Sequence, residues 1–192
     1  PTPAGRREGH AGILAEHLRA AVPIGGGRGA ADALERAADV AIARFAVGAA
    51  SGLLARSLEL RRSQGADPAA ELDTLIKLVW TLRARSGYQG GLEHYRRGAE
   101  LAHQLGRHDI ELEMQWAEWA GYDTACDFDR ARPAAVRFRS RAASSDDPVV
   151  KLAGNTAWAI QSWHDGDLAE SAAMFALATG AGTPLEPDGG TV

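Results

Sequence analysis

The chain has 192 residues, of which 45% are apolar and 24% charged, with a formal net charge of −4. That length suits one sizeable domain or a run of repeats, and a mild acidic balance lacks the clustered basic excess of a nucleic-acid surface. No apolar run reaches the ~18 residues of a membrane span, and the single cysteine excludes an internal disulfide or a cysteine zinc cluster.

Residues 1–9 are polar and Pro/Gly-containing and read as frayed. Residues 10–22 carry Ile13, Leu14, Leu18, Ala21 and Val22, a short amphipathic helix ended by Pro23 and Gly25-Gly26-Gly27. Leu34, Ala37, Ala38, Ala41, Ile42 and Phe45 recur at helical spacing and predict a helix over 30–45. Ala50, Leu53, Leu54, Leu58 and Leu60 predict another over 47–63. After the break at Gly65, Asp67 is placed to cap a helix with Pro68 at its first position. Leu72, Leu75, Ile76, Val79, Trp80 and Leu82 mark helix 69–86. Leu92, Tyr95, Ala99, Leu101, Ala102 and Leu105 mark 90–105, with Gly106 as its stop. A helix capped by Asp109 follows, carrying Leu112, Met114, Trp116, Trp119 and Tyr122. Residues 129–143 form its partner, with Pro133 near the start, where proline is tolerated. Residues 148–164 and 168–179 make the last pair, and the Gly/Pro-rich 181–192 reads as a disordered tail or an interrupted next unit. No strand is predicted.

These segments repeat. The second-helix positions Ala50, Gly91, Ala131 and Ser171 are separated by 41, 40 and 40 residues. Four residues on stand Leu54, Tyr95, Ala135 and Phe175, and seven on Ser57, Gly98, Phe138 and Ala178. A small residue lets helices approach, and a larger neighbour on the same face fills the gap. Turn-like segments Gly87-Tyr88-Gln89, Asp127-Phe128-Asp129 and Asp165-Gly166-Asp167 precede three of the four. A fixed period of this kind predicts stacked helical hairpins.

The hairpin pattern resembles tetratricopeptide repeats with lengthened helices. More narrowly, Phe45–Leu60, Leu75–Gly106 and Trp116–Ala178 resemble the helical-repeat region of large bacterial signalling ATPases, the LuxR-type and antibiotic-regulatory transcription activators and their cyclase-linked relatives. The likeness rests on Ser57-Leu58-Glu59-Leu60, on Gly87-Tyr88 before Tyr95–Ala102, on Leu105-Gly106, on Trp116 and Trp119 before Asp127-Phe128, and on Gly166–Glu170. Leu14–Leu18 resembles the last helix of the ATPase module's winged-helix part. Gly91 and Ser171 depart from the usual alanine, and Cys126 stands where glycine is usual. The resemblance implies an all-α, tetratricopeptide-like right-handed α-solenoid of about four hairpins. Its expected parts are a leading segment 1–28, a repeat domain 29–180 and the tail 181–192. It implies the sensor or protein-interaction arm of a cytoplasmic transcription regulator. Such an arm binds a peptide, protein or small-molecule effector non-covalently and packs on the ATPase module of its own parent chain. ATP is implied for that parent and no cofactor for this fragment, and neither direct nucleic-acid contact nor membrane contact is expected. A scaffold that only self-associates, as a homo-oligomer, is the alternative. The start at Pro1 reads as an excised fragment. Only Lys77 and Lys151 among 21 basic residues are lysine, which fits high-GC bacterial coding.

No catalytic set emerges, and the chain is not expected to be an enzyme. Gly25–Gly29 lacks the Gly-Lys-Ser/Thr ending of a P-loop and reads as a loop. The six histidines show neither a His-Glu-x-x-His pair nor a neighbouring carboxylate set of metal-ligand type, so no metal site is expected. Asp127 and Asp129 read as helix caps, Cys126 as a packed small residue, and Arg130, Arg132, Arg137, Arg139 and Arg141 as a solvated face or a surface for an acidic partner. Trp80, Trp116, Trp119, Trp158 and Trp163 all fall on first helices of hairpins. Either they are core, or some form a shallow aromatic floor. Register puts Trp80, Trp116 and Trp163 nearest that inner surface, and the expected groove is Trp80, Arg83, Trp116, Asp123, Trp163 and His164, with Asp73, Lys77 and Glu113 also near its rim.

Overall fold

The computed structural model describes residues 27–65 and 67–180. The leading helix expected over 10–22 and the tail 181–192 lie outside the described residues. Among those described, the chain is all-α, with no strand. Its helices are α1 (Gly27–Ile42), α2 (Val47–Ser63), α3 (Pro68–Ser86), α4 (Leu92–Gln104), α5 (His108–Thr124), α6 (Phe128–Ala143), α7 (Pro148–His164) and α8 (Leu168–Thr179). A 3₁₀ turn, Tyr88–Gly91, precedes α4.

The helix starts follow from side chains at the caps. Asp67 Oδ1 accepts from the Ala69 N–H at 3.3 Å and Asp147 Oδ1 from the Val149 N–H at 2.8 Å, each followed by proline at the first helical position. Asp167 does the same for the Glu170 N–H. Asp109 is not a cap; α5 begins one residue earlier, at His108. Asp127 stands at the α6 cap position but makes no side-chain cap bond, pairing instead with Arg130 at 3.3 Å, and Asp129 lies inside the first turn. The corner there is centred on Cys126, two residues earlier than the Asp127-Phe128-Asp129 turn the spacing predicts.

The corners repeat as closely as the helices. Phe45, Gly87, Cys126 and Gly166 all have positive φ (59°, 64°, 56° and 81°), at intervals of 42, 39 and 40 residues. Three of them share one bonding pattern: the next residue's N–H reaches back five positions, Ala46 to Ala41, Asp127 to Tyr122 and Asp167 to Ser162, each at 2.9 Å. These are left-handed helix ends that satisfy the last free carbonyls. Two expectations change here. Phe45 is not on a buried helical face; it sits in the corner, 90% exposed. Cys126 is not packed but exposed, in the left-handed position that glycine takes in two of the other corners.

The described residues divide into two compact units, one ending at Gly121 and one beginning at Tyr122, with α5 continuous through the boundary. In the first, α1 packs on α2, α2 on α3 and α3 on α4. Leu54, Leu58, Leu72, Leu75, Leu78 and Leu101 form its main core, and Val79, Tyr95, Ala99, Met114 and Ala117 join α3, α4 and α5 in a second cluster. Two carboxylates brace the same unit. Glu35 Oε1 accepts from Arg61 Nη2 at 2.8 Å and Nε at 3.0 Å, and also from Thr74 Oγ1. Burial pushes its carboxyl up, but the Thr74 and Arg61 hydrogen bonds and the charges of Arg61 and Lys77 outweigh this and leave it below the ordinary value. Glu71 bonds Arg97 twice, at 3.0 and 3.1 Å, and Arg62 at 2.9 Å. The Arg97 hydrogen bonds lower its carboxyl, burial opposes them, and Arg62 adds to the lowering.

In the second unit, α6 packs on α7 and α7 on α8. Gly154 is where α7 comes closest to α6: a Cβ there would stand 2.5 Å from the Phe138 carbonyl oxygen. The small positions Ala50, Gly91, Ala131 and Ser171 are all buried, as are Leu54, Tyr95 and Ala135. Phe175 departs from the pattern. It is 40% exposed, because α8 fully buries only Ser171 and no described helix covers its other side.

Candidate functional site: the Trp80 recess and the His164 cluster

Positions i and i+3 on a helix share a face, so α3 presents Trp80 and Arg83 together. The Arg83 guanidinium lies over the Trp80 ring at 3.8 Å and 5.3 Å from the Tyr88 ring, and its Nη1 is 3.9 Å from Glu113 on α5. These groups edge a shallow recess, open to solvent and lined by Val79, Trp80, Arg83, Tyr95, Glu113, Met114 and Ala117. Trp80 is 47% exposed, which leaves much of its surface available.

Tyr95 comes to this recess from α4. A Cβ at Gly91 would stand 2.6 Å from the phenol oxygen, so glycine at 91 makes room for the ring. The hydroxyl is buried and has no hydrogen-bond partner. Burial pushes the phenol up to about 12, with the Arg83 charge opposing. A buried unpaired hydroxyl costs roughly 1–3 kcal/mol.

Trp116 is not among the residues lining the recess. It is half-buried and its ring meets Trp119 at 4.6 Å, while Glu113 and Ala117, on the neighbouring face of α5, line the opening. Trp119 is core.

The other expected groove residues meet in the second unit. His164 Nε2 is 2.9 Å from Asp123 Oδ1. The His164 ring meets those of Phe128 at 4.5 Å and Trp163 at 5.0 Å in tilted contacts, and Trp163 is 60% exposed. The next residue, Asp165, pairs with Arg132, whose guanidinium holds its carboxyl below the usual range. Three of the five arginines of α6 are engaged within the unit: Arg130 with Asp127, Arg132 with Asp165, and Arg139 with Glu170 at 2.8 Å while lying over Trp158 at 4.5 Å. Of the expected residues, Trp80 and Arg83 are brought together, as are Asp123, Trp163 and His164.

Two features were not anticipated from spacing. Tyr95 lines the recess, because α4 packs against α3 with its phenol directed there. Glu111 is buried and meets both His103 and His108 at 3.3 Å, a pairing that the search for a His-Glu-x-x-His motif does not reach. The signal is His-x4-His-x2-Glu across a helix corner, visible once the corner is placed between the two histidines.

No protein-family model matches the sequence, and no curated protein matches it. No helix among the described residues is long and apolar enough to cross a membrane.

Proposed function

We propose that the chain is a tetratricopeptide-like recognition arm of a bacterial signalling regulator, and that it docks a side chain of a peptide or protein partner in the Trp80 recess. The observation that carries this is the grouping of the stacked Trp80–Arg83 pair, Glu113 and Tyr95 around one opening. The recess is shallow and open to solvent, which suits a side chain laid against it better than an enclosed free effector. Exposed tryptophan and arginine are the residue types that contribute most to protein recognition. Sequential packing of neighbouring helices within each unit and the forty-residue recurrence of the left-handed corners support the repeat reading. The arm acts by binding alone; coupling to an ATPase module would rest on differential affinity of about 1–3 kcal/mol.

The test is selection of peptides from a random display library on the full chain, with Trp80→Ala as counter-screen. Selected peptides are expected to lose at least about tenfold in affinity for Trp80→Ala, since such anchors contribute above ~1 kcal/mol, while the melting temperature is retained. Peptides that bind the native and Trp80→Ala chains equally would refute the recess as the docking point. One observation favours the self-association reading instead: Leu168, Phe175 and Leu177 of α8 are all exposed. Mass that rises with concentration in sedimentation and falls in Leu168→Glu would support that reading.

A further inference from the structure

We propose that His103, His108 and Glu111 form a surface site for a zinc-class divalent cation, which clamps the corner between α4 and α5. His103 lies in the last turn of α4, His108 opens α5, and Glu111 follows one turn later on the same face. The connection between them is fixed by the backbone. Gly106 is left-handed at φ 68°, the Arg107 N–H donates to the Ala102 carbonyl at 2.8 Å, and the Glu111 N–H donates to the Arg107 carbonyl at 2.9 Å.

The distances suit coordination as well as ion pairing. Nδ1 of each imidazole stands 3.3 Å from the same oxygen, Glu111 Oε2. A charge-assisted N–H···O bond is shorter, about 2.7–2.9 Å. Two ligands of a tetrahedral ion with bonds of about 2.0–2.2 Å stand about 3.3–3.5 Å apart. Both edges that meet at Glu111 already have that length, and all three ligand atoms lie within 4.8 Å of one another. The Gln115 amide donates to the other carboxylate oxygen, Oε1, at 3.1 Å, which turns Oε2 toward the imidazoles.

The donor set names the class of ion. Two imidazole nitrogens and one carboxylate suit zinc, copper or nickel, whereas magnesium and calcium prefer oxygen alone. Both imidazoles are open to solvent, with side chains 71% and 70% exposed, so an ion has an entry path and room for water in the remaining positions. Glu111 is the buried partner and supplies the negative charge. An ion held there joins the end of one helix to the start of the next.

The experiment is calorimetric titration of the full chain with Zn²⁺ alone, after treatment with chelator, on the native protein, His103→Ala, His108→Ala and the double variant. Because both imidazoles are exposed, these variants should keep the native helical spectrum, recorded in parallel. One equivalent of zinc is expected to bind the native chain and raise its melting temperature, with affinity falling roughly tenfold or more in each single variant and the thermal shift lost in the double variant. Mg²⁺ should produce neither effect. Equal zinc affinity in the native chain and the double variant would place the ion at other histidines and overturn the assignment. Absence of zinc binding by the native chain would overturn it as well.

Discussion

Tyr95→Phe should stabilise the protein, an unusual outcome for a polar group removed from a core. The phenol ring is 1% exposed and its hydroxyl has no hydrogen-bond partner. Burying that group without a partner costs about 1–3 kcal/mol relative to water. Phenylalanine keeps the ring and forfeits only the contacts of one oxygen, at about 0.1–0.2 kcal/mol each. The net expectation is a gain of about 1 kcal/mol, a rise of roughly 2–4 °C in melting temperature for a chain of this length. Urea unfolding followed by tryptophan fluorescence measures the first and thermal circular dichroism the second. Alkaline pH gives an independent reading. The native phenol is raised from 10 to about 12, so the folded chain holds this proton more tightly than the unfolded one. The contribution is intact below pH 10 and is lost as pH climbs toward 12, by about 2–3 kcal/mol at ~1.4 kcal/mol per unit. Tyr95→Phe should lack that part of the slope. A loss of more than ~1 kcal/mol at neutral pH would refute the reasoning, because it would mean the hydroxyl is hydrogen-bonded in the folded protein, and an unchanged alkaline slope would refute it by showing the phenol is not shielded from water.

The two phenylalanines on the second helices of successive hairpins should behave differently. Phe138 is 4% exposed, so Phe138→Ala should cost about 3–5 kcal/mol. Phe175, at 40% exposure, should cost less than about half of that on truncation, and equal losses in parallel urea titrations would contradict the assigned burial. Glu71 should make the fold acid-sensitive. Its carboxyl is held below 4.5 chiefly by the Arg97 hydrogen bonds, so its contribution is present above pH 4.5 and is lost as pH falls below that value. Glu71→Gln should lower stability at pH 7 by about 1–3 kcal/mol and flatten the acid limb of the melting-temperature profile; an acid limb of native steepness would show that other carboxylates govern it.

Helix periodicity was legible because each helix buries one face against a sequence neighbour. The ranges 47–63, 148–164 and 168–179 coincide with α2, α7 and α8. What periodicity cannot weigh is whether anything covers the second face. Phe175 has the spacing of a core residue, yet among the described residues α8 is covered on one side only. Phe45 fits a helical stripe but falls three residues beyond the last helical position, Ile42, in a corner. The recess depends on pairings across helices: Trp80 and Arg83 are neighbours on α3 and were legible, whereas Tyr95 reaches them through packing of α4 and Glu113 through α5. Glu35 meets Thr74 thirty-nine residues away, and Glu71 meets Arg97 twenty-six away, separations at which no local pattern signals a partner.

The left-handed corners have a consequence for how such a chain keeps its phase. At 45, 87, 126 and 166 the shared property is a torsion angle, while the letters are phenylalanine, glycine, cysteine and glycine. A non-glycine residue there carries roughly 1–2 kcal/mol of strain, and at Phe45 and Cys126 the side chain projects into water, where packing places no demand on its identity. Rhythm in this molecule is therefore stored in backbone geometry, and its punctuation can drift in spelling while each helix still stops and restarts on the same beat.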